Sequence, residues 1–250
     1  MAEAFELSNN RERAILRSSQ GLWASNWLAA CPLTEQRWRM NDSVFRVALQ
    51  HRLGIPIGMK LTSCKACGKS ADIFGDHVTN CKKGRGVIAK HDAVVRALAR
   101  AVSRAGLPNV VEKRFRGTKK RPGDIFVMNW DGETNVAFDI GVASVTRKDL
   151  VDMAAEEELT AGSTYEALKM NDYNNGSFIL PPGYEYVPII VESGGRWTKA
   201  GKEMMQRLAE LMSFRWDESY GKALWRTATA CSFALNNWIG RMILGRLVRG

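Results

Sequence analysis

Residues 121–140 read Arg121-Pro-Gly-Asp-Ile-Phe-Val-Met-Asn-Trp-Asp-Gly-Glu-Thr-Asn-Val-Ala-Phe-Asp-Ile140, and this stretch decides how the surrounding chain folds. Two apolar runs flank an Asp-Gly pair. This pattern is typical of a β-hairpin with a two-residue type I′ turn, which needs positive φ at both turn positions. In that register Trp130 pairs with Glu133, and Asp124 lies opposite Asp139. The alternate apolar side chains then form a face that packs on the core.

The facing pair of carboxylates needs a physical explanation. Like charges directly opposite each other on adjacent strands destabilise a sheet, and a divalent cation bound between them would remove that cost. Mg²⁺ and Mn²⁺ prefer carboxylate oxygens, and Mg²⁺ keeps water molecules that a phosphate substrate can share. The alternative is a longer loop that offsets the register and leaves Asp124 and Asp139 solvated.

The composition is that of a globular protein with a polyanionic partner. The 250 residues are 45% apolar and 25% charged, and the net charge is +10. Clustered Lys and Arg bind nucleic acid by releasing counterions from phosphates, although a basic surface can also exist without nucleic acid. The N-terminus lacks the apolar segment of a secretory signal, and no run of about 18 apolar residues predicts a membrane span.

A Cys/His segment, residues 61–86, precedes the hairpin. Two residues separate Cys64 from Cys67, nine separate Cys67 from His77, and three separate His77 from Cys81. Three thiolates and an imidazole at this spacing indicate a closed, tetrahedral and therefore structural Zn²⁺ site in a reducing compartment. The alternatives are free thiols without metal, or a metal site that only joins two parts of the chain and does not touch nucleic acid.

A run of cations directly precedes the two carboxylates. Six Lys and Arg fall within nine residues. A phosphate backbone could bridge this run and a cation held by the carboxylates, whereas the alternative is an ordinary solvated loop. With two lysines beside the Cys/His segment, the predicted nucleic-acid-binding residues are Lys113, Arg114, Arg116, Lys119, Lys120, Arg121, Lys82 and Lys83.

Hydrophobic periodicity predicts the remaining elements. Helices are expected over residues 12–30, 42–54, 87–104, 147–161, 163–173, 198–214 and 221–247, with strands over 110–115 and 186–192. Ser163 begins a capping box, and Lys169 and Tyr173 fall four apart on one helical face. A lysine near paired carboxylates can orient a water and stabilise charge that develops on a phosphate. The alternative is an ordinary exposed lysine.

Three motifs in this order resemble a known domain: Cys64 to Cys81, then Arg121-Pro-Gly-Asp124 with Asp139, then Lys169-x-x-x-Tyr173. The domain is the restriction-like endonuclease at the C-terminus of certain non-LTR retrotransposon proteins, a branch of the PD-(D/E)XK superfamily. The resemblance covers roughly residues 20–197 and implies an α/β (α+β) fold with a restriction-endonuclease-like αβββαβ core. The implied parts are a helical arm (1–60), a CCHC zinc knuckle (61–86), the endonuclease core (87–197) and C-terminal helices (198–250).

The resemblance implies a metal-dependent DNA endonuclease. Asp124 and Asp139 would bind Mg²⁺ or Mn²⁺, Glu112 would complete the metal shell, and Lys169 would be the charge-stabilising base, with Tyr173 beside it. In the family such a domain nicks target DNA, and the free 3′-OH primes reverse transcription. The implied partners are DNA, RNA as a further ligand, and a reverse transcriptase part of a larger polyprotein. The implied location is nuclear in a eukaryote and otherwise intracellular.

Two departures from the family pattern leave other functions open. The superfamily usually has Lys two residues after the second acid, where this chain has Gly141, so a branch with a migrated lysine would use Lys169. The 250 residues contain no Tyr-x-Asp-Asp polymerase motif, so a fragment, a degenerate relict or a free-standing gene is expected. The alternatives are a non-catalytic zinc-containing nucleic-acid-binding module and a basic protein-interaction scaffold. Convergence of Asp124, Asp139 and Lys169 on one cleft would favour the nuclease.

Overall fold

The computed structural model describes residues 9–31, 36–57, 61–111 and 122–249. Within these ranges the fold is mixed α+β, with eight α-helices and a four-stranded mixed sheet. The helices are α1 (Asn10–Ser19), α2 (Asp42–Arg52), α3 (Asp76–Asn80), α4 (Gly86–Arg104), α5 (Val151–Glu156), α6 (Thr160–Asn174), α7 (Lys199–Trp216) and α8 (Tyr220–Arg246). The strands are β1 (Leu61–Cys64), β2 (Asn109–Val111), β3 (Ile125–Val127), β4 (Asn135–Ala143), β5 (Tyr184–Glu192) and β6 (Leu247–Arg249). None of the described helices is long and apolar enough to cross a membrane.

The main sheet has the strand order β2-β3-β4-β5. The pairs β2–β3 and β3–β4 are antiparallel, whereas β4 and β5 run parallel from Asn135–Tyr184 to Ala143–Glu192. Helices α5 and α6 connect these two parallel strands, as a parallel pair requires. A separate antiparallel pair, β1 with β6, joins the Cys/His segment to the end of α8.

Helices pack on both faces of the main sheet. Successive side chains of a strand point to opposite faces. Phe138 and Ile140 of β4 and Ile189 of β5 belong to one buried cluster with α4, α7 and α8. Ala143 and Ile190 instead pack with residues of α1, α5 and α6. The sheet is therefore the middle layer between two helical layers.

Strands β3 and β4 have the predicted register, but the predicted Trp130–Glu133 pair is wrong, because the Trp130 N–H donates to the Thr134 carbonyl at 2.7 Å. Ile125 pairs with Phe138 and Val127 with Val136. These four side chains are buried together with Ile140, which confirms the predicted core face of the hairpin.

The turn of the hairpin differs from the predicted two-residue loop. The strands are joined by residues 128–134, and positive φ occurs at Asn129 (54°) and Gly132 (103°) but not at Asp131, so the type I′ turn is wrong. The Asp131 carboxylate accepts the backbone N–H groups of Glu133 (3.1 Å) and Thr134 (2.7 Å). Such local Asx bonds stabilise a wider turn, and they could not be weighed against the Asp-Gly signal from sequence.

The helix predicted over residues 12–30 is shorter than expected. It ends at Ser19, and after Trp23, which has a φ of 65°, the chain forms a short 3-10 helix at Asn26–Ala29. Gly21 lies directly on the segment that follows β5, because a Cβ there would be 2.6 Å from the Arg196 Cα. This close backbone contact turns the chain away from its helical course.

The helix predicted over residues 147–161 is also wrong in extent. It covers only Val151–Glu156, and Leu159 with a φ of 66° separates it from α6, which begins at Thr160. Ser163 therefore lies inside α6 and does not cap it. The break lets the Gly162 N–H donate to the buried Glu192 carboxylate of β5 at 3.1 Å.

Arg246 attaches the end of α8 to the Cys/His segment. Its buried guanidinium donates to the carbonyls of Val78 and Cys81, both at 3.0 Å, and to that of Lys83 at 2.8 Å. Its own carbonyl accepts the Lys65 N–H at 2.8 Å. One residue of the last helix thus satisfies three carbonyls of a segment that lies far away in sequence.

We expect Arg246→Met to lower the free energy of unfolding by about 2–4 kcal/mol, because three carbonyls would lose a charged donor while the aliphatic stem is kept. Urea titration followed by circular dichroism would measure the change. Arg241→Met, at an exposed position of the same helix, should change stability by less than about 0.5 kcal/mol. Equal, small effects of both substitutions would contradict the assignment.

Candidate active site

Asp139 lies in β4 and is held by residues of two other elements. Lys169 Nζ, from α6, is 2.7 Å from Asp139 Oδ2. The Tyr186 hydroxyl, from β5, donates to the same oxygen at 2.5 Å. The side chains of Lys169 and Asp139 are 15% and 19% exposed, so this ion pair is partly shielded from water.

Asp124 lies just before β3, at the same end of the β3–β4 ladder. Its Oδ2 accepts the Ile140 N–H at 2.8 Å, and His91 Nε2 lies 3.1 Å from the same atom. Its own N–H donates to the Phe138 carbonyl at 2.8 Å, next to Asp139. The structure therefore brings the two carboxylates together, and the charge of Lys169 favours the ionised form of both.

The pKa values of the two carboxyls shift in opposite directions. Burial raises the pKa of Asp139, and the charge of Asp124 raises it further, so that Lys169 only partly offsets the shift. Burial also acts to raise the pKa of Asp124, but the hydrogen bond and charge of His91 outweigh it and the pKa is lowered. Both side chains are less than one-fifth exposed, which is inconsistent with the alternative of two solvated aspartates.

His91 comes from α4 and carries a proton at neutral pH. Burial alone would lower the pKa of His91, but its hydrogen bond to the Asp124 carboxylate and the charge of that group raise it to about 9. Its other ring nitrogen lies 3.2 Å from an oxygen of Asp92. The imidazolium is therefore held between two carboxylates and fixes one oxygen of Asp124.

Gly141 leaves room for α6 beside Asp139. A Cβ at Gly141 would lie 2.5 Å from Ile190 Cδ1 and 2.8 Å from Tyr165 Cε1, so a side chain cannot start there without displacing α6. Tyr165 and Lys169 are one turn apart on α6, with the ammonium 5.3 Å from the ring centroid. Helix α6 thus occupies the space beside Gly141 and supplies its own ammonium.

Tyr173 contacts the site through another tyrosine. Its ring stacks on that of Tyr186 at a centroid distance of 4.8 Å, and Phe178 packs against both rings. In the described part of the chain, Tyr173 therefore meets aromatic rings and not a carboxylate. Its effect on Asp139 is to hold the Tyr186 hydroxyl in place.

The other residues predicted around the carboxylates lie outside the described residues. They are Glu112, Lys113, Arg114, Arg116, Lys119, Lys120 and Arg121. Conversely, His91 and Tyr186 contact the carboxylates but are not among the predicted site residues. His91 is one of three histidines in the chain, which is the only sequence signal for it. Tyr186 fits the apolar pattern of its strand, so its polar role could not be recognised.

The Cys/His segment forms a second candidate site. The ligand atoms of Cys64, Cys67, His77 and Cys81 all lie within 4.8 Å of one another, close enough to surround one ion. Cys67 Sγ is 3.2 Å from His77 Nε2. The backbone N–H of Lys69 stabilises the thiolate and lowers the pKa of Cys67 to about 7. The cluster could therefore bind a metal ion such as zinc.

Asp72 orders the loop that carries the histidine ligand. Its carboxylate accepts the backbone N–H groups of Phe74 and Asp76, both at 3.0 Å, and of His77 at 2.7 Å. These bonds supply acceptors for N–H groups at the start of α3. The Asp72 side chain thus fixes the backbone that leads into the histidine ligand.

Two of the predicted nucleic-acid-binding lysines fall within the described chain. Lys82 and Lys83 directly follow Cys81, and both side chains are exposed. The Lys83 carbonyl is bound by Arg246, so the backbone is fixed while the side chain faces solvent. A phosphate could reach both ammonium groups.

No protein-family model matches the chain, and the search of curated proteins finds no similar sequence. The interpretation of the site therefore depends on its geometry and on the motifs of the chain itself.

We expect the purified chain to hold about one Zn²⁺, and Cys81→Ser to lose most of it, because a closed structural site needs all four ligands. Elemental analysis after gel filtration would measure the zinc-to-protein ratio. Cys31→Ser changes an exposed cysteine outside the cluster and should keep the ion. Unchanged zinc content in Cys81→Ser would show that this cluster is not the zinc site.

His91 should make stability depend on pH in the presence of EDTA. The pKa of His91 is raised from its ordinary value of 6.5 to about 9 in the folded state. The protonated imidazole therefore stabilises the fold fully below pH 6.5, and this stabilisation is lost as the pH rises through about 9. The excess stability of the wild type over His91→Gln should therefore decline across that window. Urea titrations of both proteins from about pH 6 to about pH 10 would measure it. A difference that stays constant with pH would contradict the His91–Asp124 pairing.

Proposed function

We propose that the chain is a metal-dependent DNA endonuclease that hydrolyses a phosphodiester of one strand. The observation that carries the proposal is the convergence of Asp124, Asp139 and Lys169 at one end of the β3–β4 ladder. The chain order α4-β2-β3-β4-α5-α6-β5 supports the proposal, because it matches the αβββαβ core of the restriction-like endonucleases that the motifs resemble, with two helices where that core has one. The net charge of +10 favours a polyanionic substrate.

Asp124 and Asp139 fit a divalent cation. In the described part of the chain, the hydrogen bonds to each carboxylate go to Oδ2, which leaves Oδ1 of each for a cation. Hard oxygen donors of this kind suit Mg²⁺ or Mn²⁺. Bound there, the ion would supply Lewis-acid polarisation of the phosphate and lower the pKa of a water. Glu112, a proposed third ligand, lies outside the described residues.

Lys169 is positioned to stabilise negative charge. Its ammonium lies 2.7 Å from Asp139 and is partly shielded from water, so its field at a nearby phosphate is only weakly screened. It can donate to a phosphate oxygen or to a water bound beside the same carboxylate. His91 contacts Asp124, and the Tyr186 hydroxyl donates to Asp139. The carboxylates are thus oriented before any substrate binds.

A second candidate is a non-catalytic, zinc-containing nucleic-acid-binding module, such as a degenerate retroelement fragment. The observation that favours it is that the Lys169–Asp139 ion pair and the His91–Asp124 contact already balance both carboxylates. In this reading the site keeps its fold without cutting. Lys82 and Lys83 beside the Cys/His segment would then be the binding residues.

The same resemblance suggests the partners. The chain would act on DNA, with RNA as a further ligand. It would work beside a reverse transcriptase part of a larger polyprotein, in the nucleus of a eukaryotic cell or otherwise inside the cell.

Supercoiled plasmid is expected to become nicked circles when the chain and Mg²⁺ or Mn²⁺ are present, and EDTA should stop the reaction. One active centre cuts one strand, so nicks should precede linear product. Asp139→Ala should abolish nicking, and Lys169→Ala should slow it by about 10²–10³ because a charge donor is lost. Agarose-gel time courses would measure the rates.

Asp217→Asn is the matched control for the aspartate substitutions. Asp217 is exposed after α7 with a φ of 47°, a conformation that Asn also tolerates, so nicking should continue at the wild-type rate. Nicking that persists in Asp139→Ala would contradict the proposed site. Salt-sensitive DNA binding without cleavage by the wild type would favour the non-catalytic module.

A further inference from the structure

A groove of about 430 Å³ lies between α4 and α8. Five arginines line it, and three of them, Arg96, Arg100 and Arg104, follow one another at four-residue steps along α4. Arg37 and Arg226 complete the set. Neither the proposed cleavage residues nor any Asp or Glu is among the described residues that line the groove.

The spacing of the α4 arginines makes a regular row of charge. Four residues of an α-helix rise about 6 Å and return to the same face, so successive guanidinium groups lie side by side along the groove. Small side chains from the two helices, such as Ala97 and Ala234, form the floor between them. The α4 side of the groove is therefore positively charged.

Among the described residues, Glu218 is a carboxylate that pairs with arginines of this groove. Like charges four residues apart on a helix destabilise it, so the row needs negative partners. One carboxylate, that of Glu218, serves both Arg104 (3.7 Å) and Arg226 (2.9 Å) at one end of the groove. Within the described residues, no ion pair is formed by Arg96, whose side chain is exposed. An anionic ligand would give Arg96 a partner.

An aromatic side chain stands beside the arginine row. Trp238 lines the groove and is half-buried, and the Arg241 guanidinium lies 5.8 Å from its ring centroid. Cations that follow a phosphate backbone, together with a ring on which a base can stack, are the features that bind single-stranded nucleic acid. An acidic protein segment would satisfy the arginines but would make no specific use of a stacking ring.

We propose that the groove between α4 and α8 binds a single-stranded segment of nucleic acid, with phosphates on Arg96, Arg100 and Arg104 and a base against Trp238. The inference goes beyond the proposed endonuclease, because the groove contains none of the cleavage residues and its ligand need not be cut. Helix α4 would then contribute to both sites: His91 contacts the carboxylates, and the three arginines bind the nucleic acid in the groove.

Fluorescence anisotropy of a labelled oligothymidylate with the full chain in EDTA tests the proposal. Arg96→Gln/Arg100→Gln should weaken binding about tenfold or more near 0.1 M salt, and should reduce the salt slope by about 1.4, since each phosphate contact contributes about 0.7. The control is Lys199→Gln/Arg207→Gln on α7, which removes the same charge from one exposed and one partly exposed side chain. It should bind nearly as the wild type does.

The role of the ring is tested separately. Trp238→Leu should weaken binding of the oligothymidylate but not of an abasic oligomer of the same length, because only bases stack. Thermal unfolding would check that each variant is folded. If the double variant is destabilised, the single variant Arg96→Glu replaces it, because this side chain is exposed. It should also weaken binding of the oligonucleotide.

Wild-type affinity in the groove variants, or equal losses in the groove and control variants, would overturn the proposal. A third result would also overturn it. If polyglutamate of equal charge displaces the oligonucleotide and Trp238→Leu keeps the wild-type affinity for the oligonucleotide, the groove binds an acidic protein segment instead. Asp139→Ala should bind the oligonucleotide as the wild type does. The two proposals can therefore fail separately. A chain that does not nick plasmid can still bind the oligonucleotide in the groove, and a groove variant that loses this binding can still nick plasmid.

Discussion

Two carboxylates held close together in a partly shielded place repel each other, and this end of the sheet is arranged to contain that repulsion. The hairpin register brings Asp124 and Asp139 together. His91 from α4 balances the first, and Lys169 from α6 with Tyr186 from β5 balances the second. Because each partner comes from a different element, the site exists only when both helical layers and the parallel strand pair are in place. The hairpin alone would be strained by its own charges.

Helix α8 links the candidate active site to the Cys/His segment. It packs on α4, which carries His91, and Arg246 at its end binds the carbonyls around Cys81. A metal ion bound by the four Cys and His ligands would therefore stabilise more than its own loop, because metal affinity for the folded state adds to folding stability. The Cys/His cluster and the carboxylates are separate candidate sites that depend on shared packing.

Local chemistry made part of this arrangement predictable. The spacing of Cys64 to Cys81 is informative because chelation depends on residues that are close in sequence. The register of β3 and β4 is informative because a slip by one residue would turn the apolar face to solvent. The loop geometry was not predictable, since the Asp131 side chain competes with the Asp-Gly preference for a tight turn.

Tertiary contacts decided what the sequence could not show. Lys169 was predicted as a site residue from a resemblance, and its contact with Asp139 depends on Gly141 leaving room for Tyr165. His91 was not recognisable, because periodicity does not reveal which helix face meets a carboxylate before β3. The same holds for the early end of α1, where Gly21 must fit against Arg196. In each case the outcome depends on a contact with an element that is distant in sequence, either a close approach to a glycine or a buried charge. Local sequence patterns do not contain this information.

The position of Arg246 also has a consequence for the order in which the protein is built. It binds carbonyls that lie 165 and 168 residues earlier in the chain. At ribosomal rates of about 5–20 residues per second, the Cys/His segment would wait roughly 10–30 seconds for this partner. During that interval the carbonyls of Val78 and Cys81 must be hydrated, and any metal would be held by an unbraced loop. A nascent chain therefore acquires its metal ligands early and secures them late.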